Sequence, residues 1–131
     1  MKSIRFTLII ILFTAITLVT SCTTAIKNGP EKAVELYLSA LVEKDGATLA
    51  GLSCADWEPN ALMELDSLQA VEVKLTDLTC ETNGAENEFT LVQCKGFLVA
   101  TYNGEDQNID LSLRRYLVQE FNSGFLVCGY K

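Results

Sequence analysis

The sequence predicts one α+β domain, in which N-terminal helices pack on a four-stranded antiparallel sheet. Apolar residues recur with a period of about 3.6 up to Asp66 and with a period of about two from Ala70 onward, which indicates helices followed by strands. The 131 residues are 49% hydrophobic and 21% charged, a composition that supports a single globular core. Asn and Gly residues separate the later apolar runs, and both suit the tight turns that join antiparallel strands.

The first helix is predicted to begin at Pro30, because proline suits the first helical position and Asn28 or Gly29 can cap it. Asp45 and Gly46 are expected to end this helix. The apolar residues between these limits fall on one face: Val34, Tyr37, Leu38, Leu41 and Val42. The segment therefore predicts an amphipathic helix with one buried side.

Two shorter helices are predicted over residues 47–54 and 59–65. Beyond them, apolar runs predict four strands, at residues 71–80, 89–99, 109–113 and 125–128. The turns between these strands are predicted at Asn83-Gly84, Asn103-Gly104 and Asn122-Ser123-Gly124. Strands joined by tight turns become antiparallel neighbours in sequence order.

The N-terminal segment reads as an export signal. Residues 1–5 carry two positive charges, and residues 6–19 are apolar apart from three threonines. The next residues, Val19-Thr20-Ser21-Cys22, resemble the lipobox of bacterial lipoproteins. This resemblance implies that residues 1–21 are removed as a signal peptide and that Cys22 is acylated.

Residues 22–29 then form a short lipidated tether, and residues 30–131 form the domain. The lipid would attach the protein to the cell envelope, facing outside the cytoplasm. Because Thr23 rather than Asp follows the cysteine, the resemblance implies transfer to the outer membrane in a cell that has one. Two alternatives stay open for the N-terminus, an uncleaved anchor helix and an ordinary cleaved signal.

The charge balance disfavours nucleic acid as a partner. Removal of Lys2 and Arg5 with the signal leaves eight Lys and Arg against 17 Asp and Glu, a net charge of −9. Such a chain repels phosphate backbones unless a basic stripe offsets the field. The one candidate pair, Arg114 and Arg115, would point to opposite faces of a strand. The membrane, reached through the lipid, is therefore the one partner that the sequence identifies.

The domain resembles the NTF2-like superfamily, which is also called SnoaL-like or cystatin-like. The resemblance covers residues 30–131 and rests on the element order together with two phrases, Glu31-Lys32-Ala33-Val34-Glu35-Leu36-Tyr37-Leu38 and Lys44-Asp45-Gly46. It implies a cone, in which a curved sheet wraps the first helix and leaves a pocket between them. The superfamily includes isomerases, dehydratases, transport factors and many lipoproteins of uncharacterised function, so the fold alone does not determine the function.

Four cysteines remain after the lipobox: Cys54, Cys80, Cys94 and Cys128. An even number outside the reducing cytosol favours two disulfides, with three possible connectivities. Cys80 and Cys94 can face each other if the first hairpin turns near Asn87, whereas a turn at Asn83-Gly84 puts them out of register. We expect Cys80 to pair with Cys94 and Cys54 with Cys128. A zinc site is disfavoured because no C-x-x-C pair occurs, and we expect no metal.

Candidate site residues follow from side-chain chemistry. The sequence contains no histidine, which removes the commonest general base and the usual metal ligand sets. Four aromatic residues with a polar atom suit a pocket, although core packing competes for them: Tyr37, Trp57, Tyr102 and Tyr116. Four carboxylates either supply an acid–base pair or form a solvated face: Asp56, Glu58, Glu64 and Asp66. The polar stretch 103–108 is read as a solvated hairpin turn rather than a calcium loop.

Two functions remain open. The first is a non-catalytic binding or interaction module at the envelope, with no cofactor. The second is a small NTF2-like enzyme, of isomerase or dehydratase type, that uses Asp and Tyr in the pocket. A buried carboxylate beside a tyrosine with a raised pKa would favour the enzyme, and a pocket lined only by apolar groups would favour binding.

Overall fold

Three helices precede five antiparallel strands in the computed structural model, which describes residues 29–131. The helices are α1 Pro30–Glu43, α2 Gly46–Gly51 and α3 Glu58–Ser67. The strands are β1 Glu72–Glu86, β2 Phe89–Tyr102, β3 Glu105–Asp110, β4 Arg115–Phe121 and β5 Gly124–Tyr130. The predicted α+β class is confirmed. The predicted signal peptide, Cys22 and all of the tether except Gly29 lie outside the described residues.

Local capping sets the limits of the helices. Gly29 has an extended backbone and Pro30 is the first residue of α1, as expected. The helix ends at Glu43 because Lys44 takes a left-handed conformation, with φ of 59°. The Asp45 side chain then accepts a 3.0 Å hydrogen bond from the amide of Thr48 and caps α2.

The strands form one sheet in the order β1-β2-β4-β5, and β3 also pairs with β2. Residues 97–102 of β2 pair with β3 and residues 90–93 pair with β4. Because β1 occupies the other edge of β2, β3 and β4 lie on the same edge, one after the other.

The predicted four-stranded count is therefore wrong, because the third strand is interrupted. The predicted strand 109–113 ends at Asp110, whose side chain accepts a 2.8 Å hydrogen bond from the amide of Ser112. This cap turns Leu111–Leu113 into a 3-10 helix, and the chain returns to the sheet as β4 at Arg115. Apolar residues alternate here as they would in a strand. In the 3-10 helix, however, Leu111 is completely buried and Leu113 is 80% exposed.

The predicted turn at Asn83-Gly84 is also wrong. The chain turns between Glu86 and Phe89, with Asn87 at φ of 53°, while Asn83 and Gly84 lie within an irregularity of β1. The turns at Asn103-Gly104 and Asn122-Ser123 are confirmed. With this register Cys80 lies opposite Cys94. The structure contains the disulfides Cys80–Cys94 and Cys54–Cys128, which are the two pairings expected from the sequence.

The curved sheet packs on the apolar face of α1. Tyr37 and Leu41 of that helix are fully buried, as are Val92, Tyr116 and Val127 of the sheet. A bulge in β1 between Thr76 and Thr79 bends the sheet. Opposite this bulge Gly96 has φ of 102°, and a Cβ atom there would lie 2.4 Å from the carbonyl oxygen of Thr76. Only glycine fits at that position.

Candidate functional site

A cleft of about 460 Å³ opens between α3 and the sheet. Helix α3 contributes Asn60, Met63, Glu64 and Ser67, whose spacing places them on one helical face. The sheet side contributes Leu98 and Ile109, which are register partners across β2 and β3. The remaining lining residues are Trp57, Leu68, Arg114 and Tyr130.

An ion pair crosses the cleft from α3 to the start of β4. Arg114 Nη1 donates a 2.8 Å hydrogen bond to Glu64 Oε1, and their side chains are 25% and 19% exposed. The guanidinium carbon also lies 4.3 Å from the centre of the Tyr130 ring. Burial disfavours the charged form of Arg114, but the hydrogen bond and the attraction to Glu64 outweigh it and raise the pKa of Arg114. Arg114 is therefore charged at neutral pH.

Trp57 and Tyr130 line the cleft, and the fully buried rings of Tyr37 and Tyr116 lie behind them in the core. Trp57 Nε1 donates a 3.2 Å hydrogen bond to the hydroxyl oxygen of Tyr37. Edge-to-face contacts connect Trp57 to Tyr130 at 5.4 Å, Tyr130 to Tyr116 at 5.8 Å, and Tyr116 to Tyr37 at 6.4 Å. The four rings and the Glu64–Arg114 pair thus form one continuous unit.

Two of the tyrosines stay protonated well above neutral pH. Burial raises the pKa of Tyr116 to about 12, and burial also raises the pKa of Tyr37 above its usual range. At neutral pH both hydroxyls are protonated, so neither is a base. Among the described residues, the Tyr116 hydroxyl and Glu64 Oε2 are buried without a hydrogen-bond partner.

The loop that carries Trp57 is fastened to β5. Val127 donates a 2.8 Å hydrogen bond to the carbonyl of Leu52 and accepts another of 2.8 Å from the amide of Cys54. The Cys54–Cys128 disulfide joins the same two segments. Next to it, Gly129 has φ of 140°, and Trp57 packs against this position. The backbone and the disulfide therefore fix one end of the cleft together.

Of the four predicted pocket residues, Trp57 lines the cleft, whereas Tyr37 and Tyr116 contact one another in the core and are fully buried. The fourth, Tyr102, lies at the end of β2 and is 46% exposed, because the chain leaves the sheet for the turn that follows it. Of the four acidic candidates, Glu64 enters the cleft, whereas Asp56 and Asp66 are exposed. Glu58 is half-buried and does not line the cleft.

The sequence-based reasoning missed the role of Arg114 and did not identify Tyr130. Arg114 and Glu64 are 50 residues apart, and no local sequence pattern predicts that they are in contact. One signal was available on α3, where the spacing of Asn60, Met63, Glu64 and Ser67 marks a single mixed face.

A second cavity, of about 390 Å³, lies near the C-terminal end of α1 beside β1 and β2. The Lys44 ammonium group there donates to the carbonyl oxygens of Gln69 and Val71, at 3.0 and 2.8 Å. Across residues 29–131, no group of three or more His, Cys, Asp or Glu side chains is placed to hold a metal ion. None of the helices in this range is long and apolar enough to span a membrane.

A curved antiparallel sheet around a first helix, with a cleft beneath the third helix, defines a cone-shaped α+β protein. Two solved structures with the same architecture are described as NTF2-like proteins. An NTF2-like protein with a cystatin-like fold from Novosphingobium aromaticivorans superposes with a TM-score of 0.54 at 12% identity, over 76% of this chain and 75% of the other. A proposed dehydratase of the NTF2-like family from Streptomyces avermitilis gives 0.51 at 12% identity, over 75% and 87%.

The helical cell shape determining protein Pgp2 from Campylobacter jejuni also superposes, with a TM-score of 0.51 at 8% identity, over 76% of this chain and 38% of that protein. No protein-family model matches the sequence, and no curated protein matches it. Similarity at this level of identity shows the fold, which is that of NTF2-like proteins.

Tyr116→Phe tests the buried hydroxyl. We expect this substitution to leave the free energy of unfolding at pH 7 unchanged or to raise it by up to about 1 kcal/mol, because a buried hydroxyl without a partner destabilises the folded state. Ionisation of Tyr116 is favoured in the unfolded chain, since burial raises the folded-state pKa to about 12. Stability is therefore lost as pH rises from about 10 to about 12.

The variant should lose less stability over that range than the wild type, as measured by urea denaturation at pH 7 and pH 10.5. Tyr102→Phe is the matched control, because Tyr102 is exposed and its removal should leave the alkaline loss of stability unaltered. An equal alkaline loss in the wild type and in Tyr116→Phe would contradict the prediction.

Proposed function

We propose that this protein is an envelope lipoprotein that binds a small molecule in the cleft beneath α3 and catalyses no reaction. The observation that carries the proposal is the pairing of Glu64 with Arg114 inside the cleft. One carboxylate oxygen is held by the guanidinium group, and the other is buried. The neighbouring Tyr37 and Tyr116 are protonated at neutral pH, and the sequence has no histidine. The cleft therefore lacks a free base.

The anchoring part of the proposal rests on the sequence. Val19-Thr20-Ser21-Cys22 closes an apolar run that follows two positive charges. Two disulfides in a domain of this size fit a location outside the reducing cytosol. The domain would then face outward from the membrane at the end of a short tether.

A small NTF2-like enzyme is the second candidate, and one observation favours it. Glu64 lies in the cleft close to Tyr37 and Tyr116, the two tyrosines with raised pKa, which is the arrangement that the sequence reasoning associated with catalysis. A protein of similar fold is described as a proposed dehydratase. For Glu64 to act as a base, a substrate would have to displace it from Arg114.

Both candidates are tested by purifying the lipoprotein from membranes and identifying bound molecules by mass spectrometry. If the molecule binds in the cleft, Asn60→Ala at its rim should reduce the recovery of that molecule. Arg115→Gln should not reduce it, because Arg115 is exposed and does not line the cleft. The recovered molecule is then incubated with the protein. Release of the molecule unchanged supports binding, and conversion that disappears in Glu64→Gln supports the enzyme.

Cys22→Ser tests the anchor. We expect the variant to be left unprocessed or to be released from membranes, because thioether-linked acyl chains require the cysteine thiol. Immunoblotting of membrane and soluble fractions measures both effects. Thr23→Ser is the matched control and should be processed and retained normally. Unchanged cleavage and membrane retention in Cys22→Ser would refute the anchor.

A further inference from the structure

We propose that the ligand of the cleft is an uncharged ring compound that carries hydroxyl or amide groups, the chemistry of a neutral sugar. This inference rests on the proposed binding function and adds the class of ligand to it. Three features of the cleft carry it, namely its charge, its polar rim and its apolar wall.

The cleft offers no free charge to a ligand. Glu64 and Arg114 are its two charged lining residues, and they neutralise each other across 2.8 Å. An anion would have to share Arg114 with Glu64, and the carboxylate of Glu64 would repel it. A cation would find one oxygen of Glu64 occupied and the other buried. The net charge of −9 that remains once Lys2 and Arg5 are removed opposes the approach of anions from a distance as well.

The polar rim suits groups that both donate and accept hydrogen bonds. Arg114 uses Nη1 for Glu64, and the guanidinium group carries further N–H donors on a side chain that is 25% exposed. Asn60 is exposed at the rim and has both a carbonyl acceptor and an amide donor. Hydroxyl and amide groups have the same dual character, whereas a hydrocarbon ligand would leave these groups without partners.

The cleft also has an apolar wall. Leu68 and Leu98 are buried there, Ile109 is half-buried, and Met63 is 65% exposed at the lip. Trp57 closes the end of the cleft. A wall of this kind binds the C–H face of a ring whose substituents point to the polar rim. The volume of about 460 Å³ lies within the range of pockets for small ligands.

Trp57 makes the test direct, because it is the single tryptophan of the chain and lines the cleft. The full-length lipoprotein in detergent is titrated with four related rings while tryptophan fluorescence is recorded. Methyl glucoside and N-acetylglucosamine are uncharged, glucuronate is an anion and glucosamine is a cation. We expect a saturable change with at least one uncharged ring, and binding at least about tenfold weaker for both charged rings.

Asn60→Ala and Arg114→Gln should weaken binding of the uncharged ring by about tenfold. Arg115→Gln makes the same change in charge on an exposed neighbour and should bind as the wild type does. Asn60→Ala keeps the test valid if Arg114→Gln fails to fold. Equal or tighter binding of glucuronate or glucosamine would overturn the inference and leave the binding function standing. Saturable binding that neither variant weakens would overturn it too.

A different result would overturn the proposed binding function. If no membrane-derived molecule co-purifies in a way that depends on Asn60, and no ring binds in the titrations, that function is overturned. If such a molecule co-purifies but none of the four rings gives a saturable change, the proposed ligand class alone is overturned.

Discussion

Replacing Cys54 and Cys128 together by serine should lower the free energy of unfolding by about 4 kcal/mol and should loosen one end of the cleft. The disulfide joins residues 74 positions apart, so its removal gives the unfolded chain a large amount of conformational freedom. It also fastens the segment before Trp57 to the strand that ends at Tyr130. The measurements are urea denaturation and the emission maximum of Trp57, which should shift to longer wavelength as water reaches the ring.

The second disulfide provides the matched control. Cys80 and Cys94 are 14 positions apart, so their replacement by serine should cost about 3 kcal/mol. They lie on β1 and β2, and neither residue lines the cleft. The emission of Trp57 in the folded control should therefore match that of the wild type. An equal change in emission in both double variants would contradict a local role for Cys54–Cys128 at the cleft.

The sequence predicts the helical layer well, because each helix carries its own local signals. Pro30 starts α1, and the apolar spacing around Tyr37 selects the face that is buried. The strand region is predicted less well, since turn residues also occur inside strands. Asn83-Gly84 has good hairpin chemistry but forms an irregularity within β1, and the hairpin turns at Asn87 instead. The pairing of the long strands outweighs the local preference.

The candidate site also contains some residues that the sequence can suggest and others that only the tertiary structure shows. Tyr37, Trp57 and Tyr116 could be proposed from side-chain type alone, because bulky side chains with one polar atom suit a pocket mouth. That reasoning could not separate them from Tyr102, since exposure depends on where the sheet ends. The pair of Glu64 and Arg114 depends on tertiary structure throughout. Arg114 directly follows the 3-10 helix Leu111–Leu113, whereas the sequence predicts a strand over residues 109–113.

Replacing Glu64 and Arg114 singly and together should show whether their contributions to the free energy of folding are coupled. Arg114→Gln leaves the Glu64 carboxylate unpaired in the cleft, with one oxygen already buried, and should cost about 2–3 kcal/mol of folding free energy. Glu64→Gln leaves Arg114 on the face of Tyr130 and should cost about 1–2 kcal/mol. The double variant removes both charges, so it should be more stable than Arg114→Gln.

Glu81→Gln is the matched control, because Glu81 and Lys95 form an ion pair between strands with side chains 62% and 70% exposed. Its loss should cost less than about 1 kcal/mol, since water screens an exposed pair. Urea denaturation of the wild type, the two single variants and the double variant at pH 7 gives the coupling energy between Glu64 and Arg114 directly. A double variant with a loss equal to the sum of the two single losses would mean that the charges act independently. The cleft would then hold two free charges, and a charged ligand would become the better expectation.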